Sequence, residues 1–146
     1  MKLKRVFSIL PTNHPNFVAI VTYTLDNMLI GMTFNETAPE HLIRQFGKEL
    51  PVHPDELQRF RAVGCIVKDI SDLDLSFDTF WKVYDYKIAP MKCKALWNKL
   101  SDEERIMALG YIPRLRNFYA KKQYDMPYPE RFLKHRRWED SLPVNN

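Results

Sequence analysis

The chain has 146 residues, of which 45% are hydrophobic, 13% aromatic and 27% charged, with a net charge of +4. This composition is close to that of folded domains and excludes a collagen, a low-complexity polymer and a wholly disordered chain. No run approaches the roughly 18 consecutive apolar residues of a membrane-spanning helix, the basic start Met1-Lys2-Leu3-Lys4-Arg5 lacks the apolar core of a signal peptide, and two cysteines are too few for a disulfide framework, so a cytoplasmic location is expected.

The first half reads as mixed α/β. Residues 6–10 can form a short strand. Residues 17–25 and 28–34 are rich in β-branched and aromatic side chains around Asp26-Asn27, which predicts a hairpin with a two-residue link. A helix is expected to start near Thr37, a capping residue, with Pro39 in its first turn and Leu42, Ile43 and Phe46 on one face. Pro54 can open a second short helix that carries Leu57, Phe60 and Val63 and ends at Gly64. Residues 65–70 then read as a last strand of the same sheet.

Residues 71–74 are a polar joint, and beyond it the chain reads as helical. Ser76 can cap a helix bearing Phe77, Phe80, Trp81 and Tyr84 at i, i+3, i+4 and i+7. Pro90 opens the next helix, which is expected to present Met91, Ala95, Leu96 and Leu100. Ser101-Asp102-Glu103-Glu104 is a capping box. Its helix meets Pro113, where it should kink or restart. Pro127-Tyr128-Pro129 is a rigid connector, and Pro129 opens a final short helix through Trp138. The expected architecture is α+β: a small antiparallel sheet with two helices (residues 1–73), packed against a C-terminal helical module (74–140), then a tail (141–146).

The catalytic inventory is poor. Four unclustered glycines, Gly31, Gly47, Gly64 and Gly110, cannot build a phosphate-cradling loop. No serine sits in a nucleophile elbow. His14, His41, His53 and His135 are scattered, without metal-ligand spacing. His14 and His53 read as exposed loop residues. Cys65 and Cys93 read as core or half-buried residues rather than nucleophiles. No enzyme, cofactor or metal is expected.

Charge is unevenly placed. Residues 1–73 hold 8 basic and 8 acidic side chains, whereas residues 74–146 hold 14 and 10. Between Arg105 and Arg137 there are 9 basic residues and 2 acidic ones. Such a stretch suits a polyanion, and equally a solvated helix face. Phe77, Phe80, Trp81 and Trp97 have core spacing. Tyr119, Tyr124 and Tyr128 instead alternate with Arg116, Lys121, Lys122 and Arg131, the mixture on which single-stranded nucleic acid stacks and pairs; protein interfaces use it too. Lys134-His135-Arg136-Arg137 is a compact basic patch, able to bind phosphate or to sit at a helix C-terminus.

Four pieces occur in order: Phe77-x-x-Phe80-Trp81-x-x-Tyr84-x-x-Lys87, Ala95-x-Trp97-x-Lys99-Leu100, Tyr128-Pro129, and Phe132-Leu133-x-x-x-Arg136-Arg137-Trp138-Glu139-Asp140. The set resembles the C-terminal module of phage and prophage replication accessory proteins of the replisome-organiser or helicase-loader type. Asp85-Tyr86 stands where that family usually has a proline and a basic residue, and Phe132 where Tyr or Trp is common. Such proteins usually carry a winged helix-turn-helix in front, which the strand–strand–helix–helix–strand order here does not match. The resemblance implies a context in phage DNA metabolism.

The function expected from charge and resemblance together is a phage-derived, non-enzymatic DNA-replication accessory. It would bind DNA non-specifically, single strands included, and contact a replication protein such as a helicase. Arg114, Arg116, Lys121, Lys122, Lys134, Arg136 and Arg137 would contact phosphates, and Tyr124 or Tyr128 would offer stacking. Seven such contacts on a single strand would give a slope of log K against log[salt] of about −5. The alternative is a phage protein-interaction module, either an inhibitor of a host machine or a virion component, whose exposed hairpin edge adds a strand to a partner. Replacing Arg136 and Arg137 with Glu should abolish DNA binding under the first reading and spare partner capture under the second. The expected location is the cytoplasm of an infected or lysogenic bacterial cell, or the virion, with no membrane partner.

Overall fold

Apolar side chains at every second position build the first strands. In a computed structural model of the chain, which describes residues 3–35 and 38–142, β1 (Lys4–Pro11) turns Phe7 and Ile9 into the core and β2 (Ala19–Thr24) turns in Ala19, Val21 and Tyr23. The two strands pair antiparallel from Lys4↔Thr24 to Ile9↔Ala19. β3 (Leu29–Phe34) pairs antiparallel with β2, with a bulge at Thr22/Tyr23 that leaves Ile30 as the extra residue.

The link between β2 and β3 is longer than the expected Asp26-Asn27 pair. Leu25 is 7% exposed and leaves the strand to join the buried residues, Thr24 N–H donates to the Met28 carbonyl, and Asn27 takes the left-handed turn position at φ 68°.

The chain then crosses through α1 (Glu40–Lys48), a 3₁₀ turn at Pro54–Glu56 and α2 (Leu57–Ala62) to reach β4 (Cys65–Asp69). β4 pairs antiparallel with β1, so the sheet order is β3-β2-β1-β4. Leu42 and Phe46 of α1 and Leu57 and Phe60 of α2 pack with the inner sheet residues into one core. Ile43 does not share that face and is exposed, and Val63 follows α2 as an exposed cap residue. Gly64 has φ 92°, a conformation that only glycine adopts without strain, and this turns the chain into β4. Thr37, the expected cap of α1, lies outside the described residues; Pro39 occupies the cap position. The Tyr23 hydroxyl donates to the Pro51 carbonyl at 2.7 Å, and burial pushes its phenol up to about 12.

Residues 1–73 form one compact unit and residues 74–146 a second. The second is helical: α3 (Phe77–Tyr84), α4 (Pro90–Asn98), α5 (Asp102–Lys121), α6 (Pro129–Lys134) and a 3₁₀ turn at Arg137–Glu139. The chain is thus α+β, a four-stranded antiparallel sheet with short helices followed by a helical region. No described helix is long and apolar enough to cross a membrane.

Local signals start these helices as expected. Ser76 accepts from the Thr79 N–H, Pro90 is the first residue of α4, and Ser101 and Glu104 form both bonds of the capping box. Three expectations differ. The last helix, expected to run through Trp138, ends at Lys134, because Arg136 turns to φ 48° and starts the separate 3₁₀ turn. α4 buries Cys93 and Trp97, while Met91 is 82% exposed; seating the Trp97 indole removes more apolar surface from water than the smaller residues could. α5 is one continuous helix with Pro113 inside it, so it does not restart there. Proline costs about 3 kcal/mol inside a helix, and burial of Ile112 and Leu115 on either side offsets that cost.

Aromatic rings form the centre of this unit. Phe80 stacks on Trp97 at 4.8 Å, Tyr84 lies 5.1 Å from Phe132, and Phe132 lies 5.6 Å from Trp138. The Trp97 indole N–H donates to the Leu75 carbonyl, tying the incoming chain to α4.

Candidate nucleic-acid interface

One end of the helical unit gathers tyrosines and cations, and helix ends put them there. α5 closes in a Schellman motif. Gln123 takes φ 57°, its N–H donates to Ala120, and the Tyr124 N–H reaches back to Tyr119. This fold-back brings the Tyr119 and Tyr124 rings to 6.4 Å and leaves Tyr124 66% exposed. α3 ends at Asp85 with φ 53°, which throws Tyr86 out of the helix. Pro127 and Pro129 hold Tyr128 rigidly at the start of α6, and the Tyr84 hydroxyl donates to the Pro127 carbonyl.

The consequence is a pair that linear spacing does not reveal. Tyr86 and Tyr128 lie with centroids 5.5 Å apart and planes 20° from parallel. They line an open cleft of about 410 Å³ together with Asp125, Met126, Pro127 and Arg131. Partial desolvation, then the neighbouring Tyr128 and Asp125, holds the Tyr86 phenol above its ordinary value. Tyr128 is half exposed. Sequence reading singled out Tyr128 but not Tyr86, whose partner is 42 positions away.

The nine residues expected to bind nucleic acid divide into two groups. Arg114, Lys121, Lys122, Tyr124, Tyr128 and Lys134 are exposed. Arg116, Arg136 and Arg137 are engaged within the fold. Arg116 donates to the carbonyls of Val83 and Tyr84 at 2.7 and 2.6 Å, capping the C-terminus of α3. Arg136, itself at φ 48°, pairs with Glu104 and with Glu139 and lies 5.2 Å over the Trp138 ring. Arg137 donates to Asp140 at 2.6 Å and to the Tyr119 hydroxyl at 3.3 Å. These bonds raise both guanidinium pKa values further and hold Glu104 below the usual carboxylate range. Arg131, at the cleft, is a further exposed cation.

Burial pushes both thiols, Cys65 and Cys93, above their ordinary values, which disfavours the thiolate. Among the described residues no group of three or more His, Cys, Asp or Glu could hold a metal ion.

Residues 72–136 are similar to a known family. The matching family model is that of the Legionella vir region protein LvrA C-terminal domain. No curated protein and no solved structure matches the chain. The LvrA match runs from the joint before α3 to the residue before the last 3₁₀ turn, and it overturns the resemblance to a phage replication accessory module. The physical reason lies in the residues that carried that resemblance. Phe80, Tyr84, Trp97, Phe132 and Trp138 are all buried against one another, so their order records how a small aromatic-centred helical unit packs, not what it binds.

Proposed function

We propose that the helical unit is a non-enzymatic module that binds single-stranded nucleic acid, without sequence preference, on the tyrosine-rich end described above. The observation that carries this reading is the solvent-open Tyr86–Tyr128 pair beside the exposed Arg131. Aromatic faces take bases of any sequence by stacking, and free cations track the backbone. Lys121 and Lys122 at the end of α5, Arg114 one face earlier and Lys134 at the end of α6 supply exposed positive charge on the same unit.

Fluorescence anisotropy with a labelled twelve-nucleotide oligo-dT tests the reading. Tyr128→Ala and Tyr86→Ala should each weaken binding by about tenfold, the effect of losing one stacked base. Lys121→Glu with Lys122→Glu should weaken it further. Wild-type protein that does not bind, or alanine variants that bind as wild type does, would sink it. Charge reversal at Arg136 and Arg137 is unsuited to this purpose, because it would break the Glu104, Glu139 and Asp140 pairs that hold the last turn.

A second reading is favoured by the carboxylate that shares the cleft with Arg131. Asp125 beside Met126 and Pro127 suits a peptide better than a phosphate. Under it, the doubly reversed lysine variant retains its protein partner and the oligonucleotide fails to bind.

A further inference from the structure

The first unit holds a two-part depression that the tyrosine-rich end does not use. The smaller part, about 210 Å³, is lined by Leu42, Phe46, Phe60 and Val63, with Gln45 and Glu49 of and just beyond α1 among its polar groups. The larger part, about 620 Å³, runs along residues 13–17 and Pro39. Asn13 and His14 line both parts, so the two adjoin.

The shared wall is held in place. The His14 N–H donates to Pro11 and the Phe17 N–H to His14, at 3.2 and 3.0 Å. The Thr12 hydroxyl donates to the Gly64 carbonyl at 3.0 Å. The His14 ring meets His41 of α1 edge-on at 5.8 Å, and the Phe46 and Phe60 rings stack at 5.0 Å. The depression is therefore a built feature, formed before any ligand arrives.

Its size and charge select a ligand class. The smaller part accommodates one side chain of leucine or phenylalanine size against an apolar wall. The larger part lies within the roughly 300–1,000 Å³ typical of ligand sites and suits a few residues of extended chain. Among the described lining residues Glu49 is the only one with a formal charge, and its carboxylate has no ion-pair partner among the described residues. An anionic ligand would find no counter-charge here, whereas a cationic group would find one. We infer that this depression binds an extended peptide segment that presents a large apolar side chain beside a lysine or arginine, the apolar group entering next to Phe46 and Phe60 and the cation facing Glu49. This site is separate from the nucleic-acid reading and stands or falls without it.

Amide NMR spectra of the full chain, titrated with N-acetyl-Phe-Lys-amide and N-acetyl-Phe-Glu-amide, test the inference. The expected result is that amides of His14, Gln45, Phe60 and Val63 shift, with the lysine peptide about threefold tighter, as one exposed charge pair allows. Glu49→Lys should invert the preference and Glu49→Gln should abolish it. Val63→Asn, a neutral polar change at a residue 76% exposed, should weaken binding of both peptides and leave the preference between them unchanged. No shift at these amides with either peptide would overturn the inference, as would shifts confined to other residues or a preference that Glu49→Lys leaves unchanged. Glu49 is exposed and makes no side-chain bond among the described residues, so its variants should keep the dispersed wild-type spectrum; the Glu49→Gln arm decides the matter if Glu49→Lys does not.

Discussion

Arg116 sits in the middle of the most basic stretch of the chain, yet its guanidinium caps α3 by donating to two carbonyls. Charge-assisted bonds of this kind contribute roughly 1.5–3 kcal/mol. Arg116→Ala is therefore expected to lower stability by about 2 kcal/mol in denaturant titration and to change oligonucleotide affinity little. The opposite pattern, intact stability with lost affinity, would put Arg116 back among the phosphate contacts. Tyr111 offers a contrasting case. Its hydroxyl is buried without a hydrogen-bond partner among the described residues, and burial raises its phenol pKa. A buried polar group left unpaired costs about 1–3 kcal/mol, so Tyr111→Phe should leave the protein as stable as before or up to about 1 kcal/mol more stable. Sequence could not separate these roles. The basic pattern showed which residues carry charge, but whether a cation reaches a carbonyl on another helix depends on contacts 32 or more positions apart.

At the scale of elements, features set by local chemistry were legible and those set by packing were not. The capping box at Ser101, the cap at Ser76, the proline that opens α4 and the glycine that ends the α2 turn each act within a few residues, and each lies where sequence put it. The outward turn of Met91, the unbroken passage of α5 through Pro113 and the meeting of Tyr86 with Tyr128 are settled by burial between elements, which no local pattern records. The box itself makes two predictions. Ser101→Ala should cost about 1 kcal/mol, the usual effect of a lost cap. Glu104 is held below the ordinary carboxylate range, chiefly by the hydrogen bond from Arg136. A depressed folded-state pKa stabilises the fold above the unfolded value and ceases to do so as pH falls through the depressed one. Acid should therefore loosen the last turn against α5, and Glu104→Gln should flatten that acid limb in a pH series of melting temperatures. Tyr23 acts with the opposite sign. Its phenol is raised to about 12 by burial, so its contribution is complete below about 10 and is lost as pH rises from there towards 12.

For the whole molecule, division of the net charge matters more than its sum. Residues 1–73 are balanced, and the excess of four positive charges belongs to the helical unit. There, three of the seven cations first expected at phosphates are bound internally, and Arg131 joins the four that remain exposed. The family match on residues 72–136 covers most of this unit. The most direct test of a nucleic-acid role is the salt dependence of oligo-dT binding by the full chain. Five exposed cations at about −0.7 per single-strand contact predict a slope of log K against log[salt] of about −3.5, reduced by about one and a half when Lys121 and Lys122 are both replaced with alanine. A slope near zero, or one that the lysine pair does not change, would contradict the account.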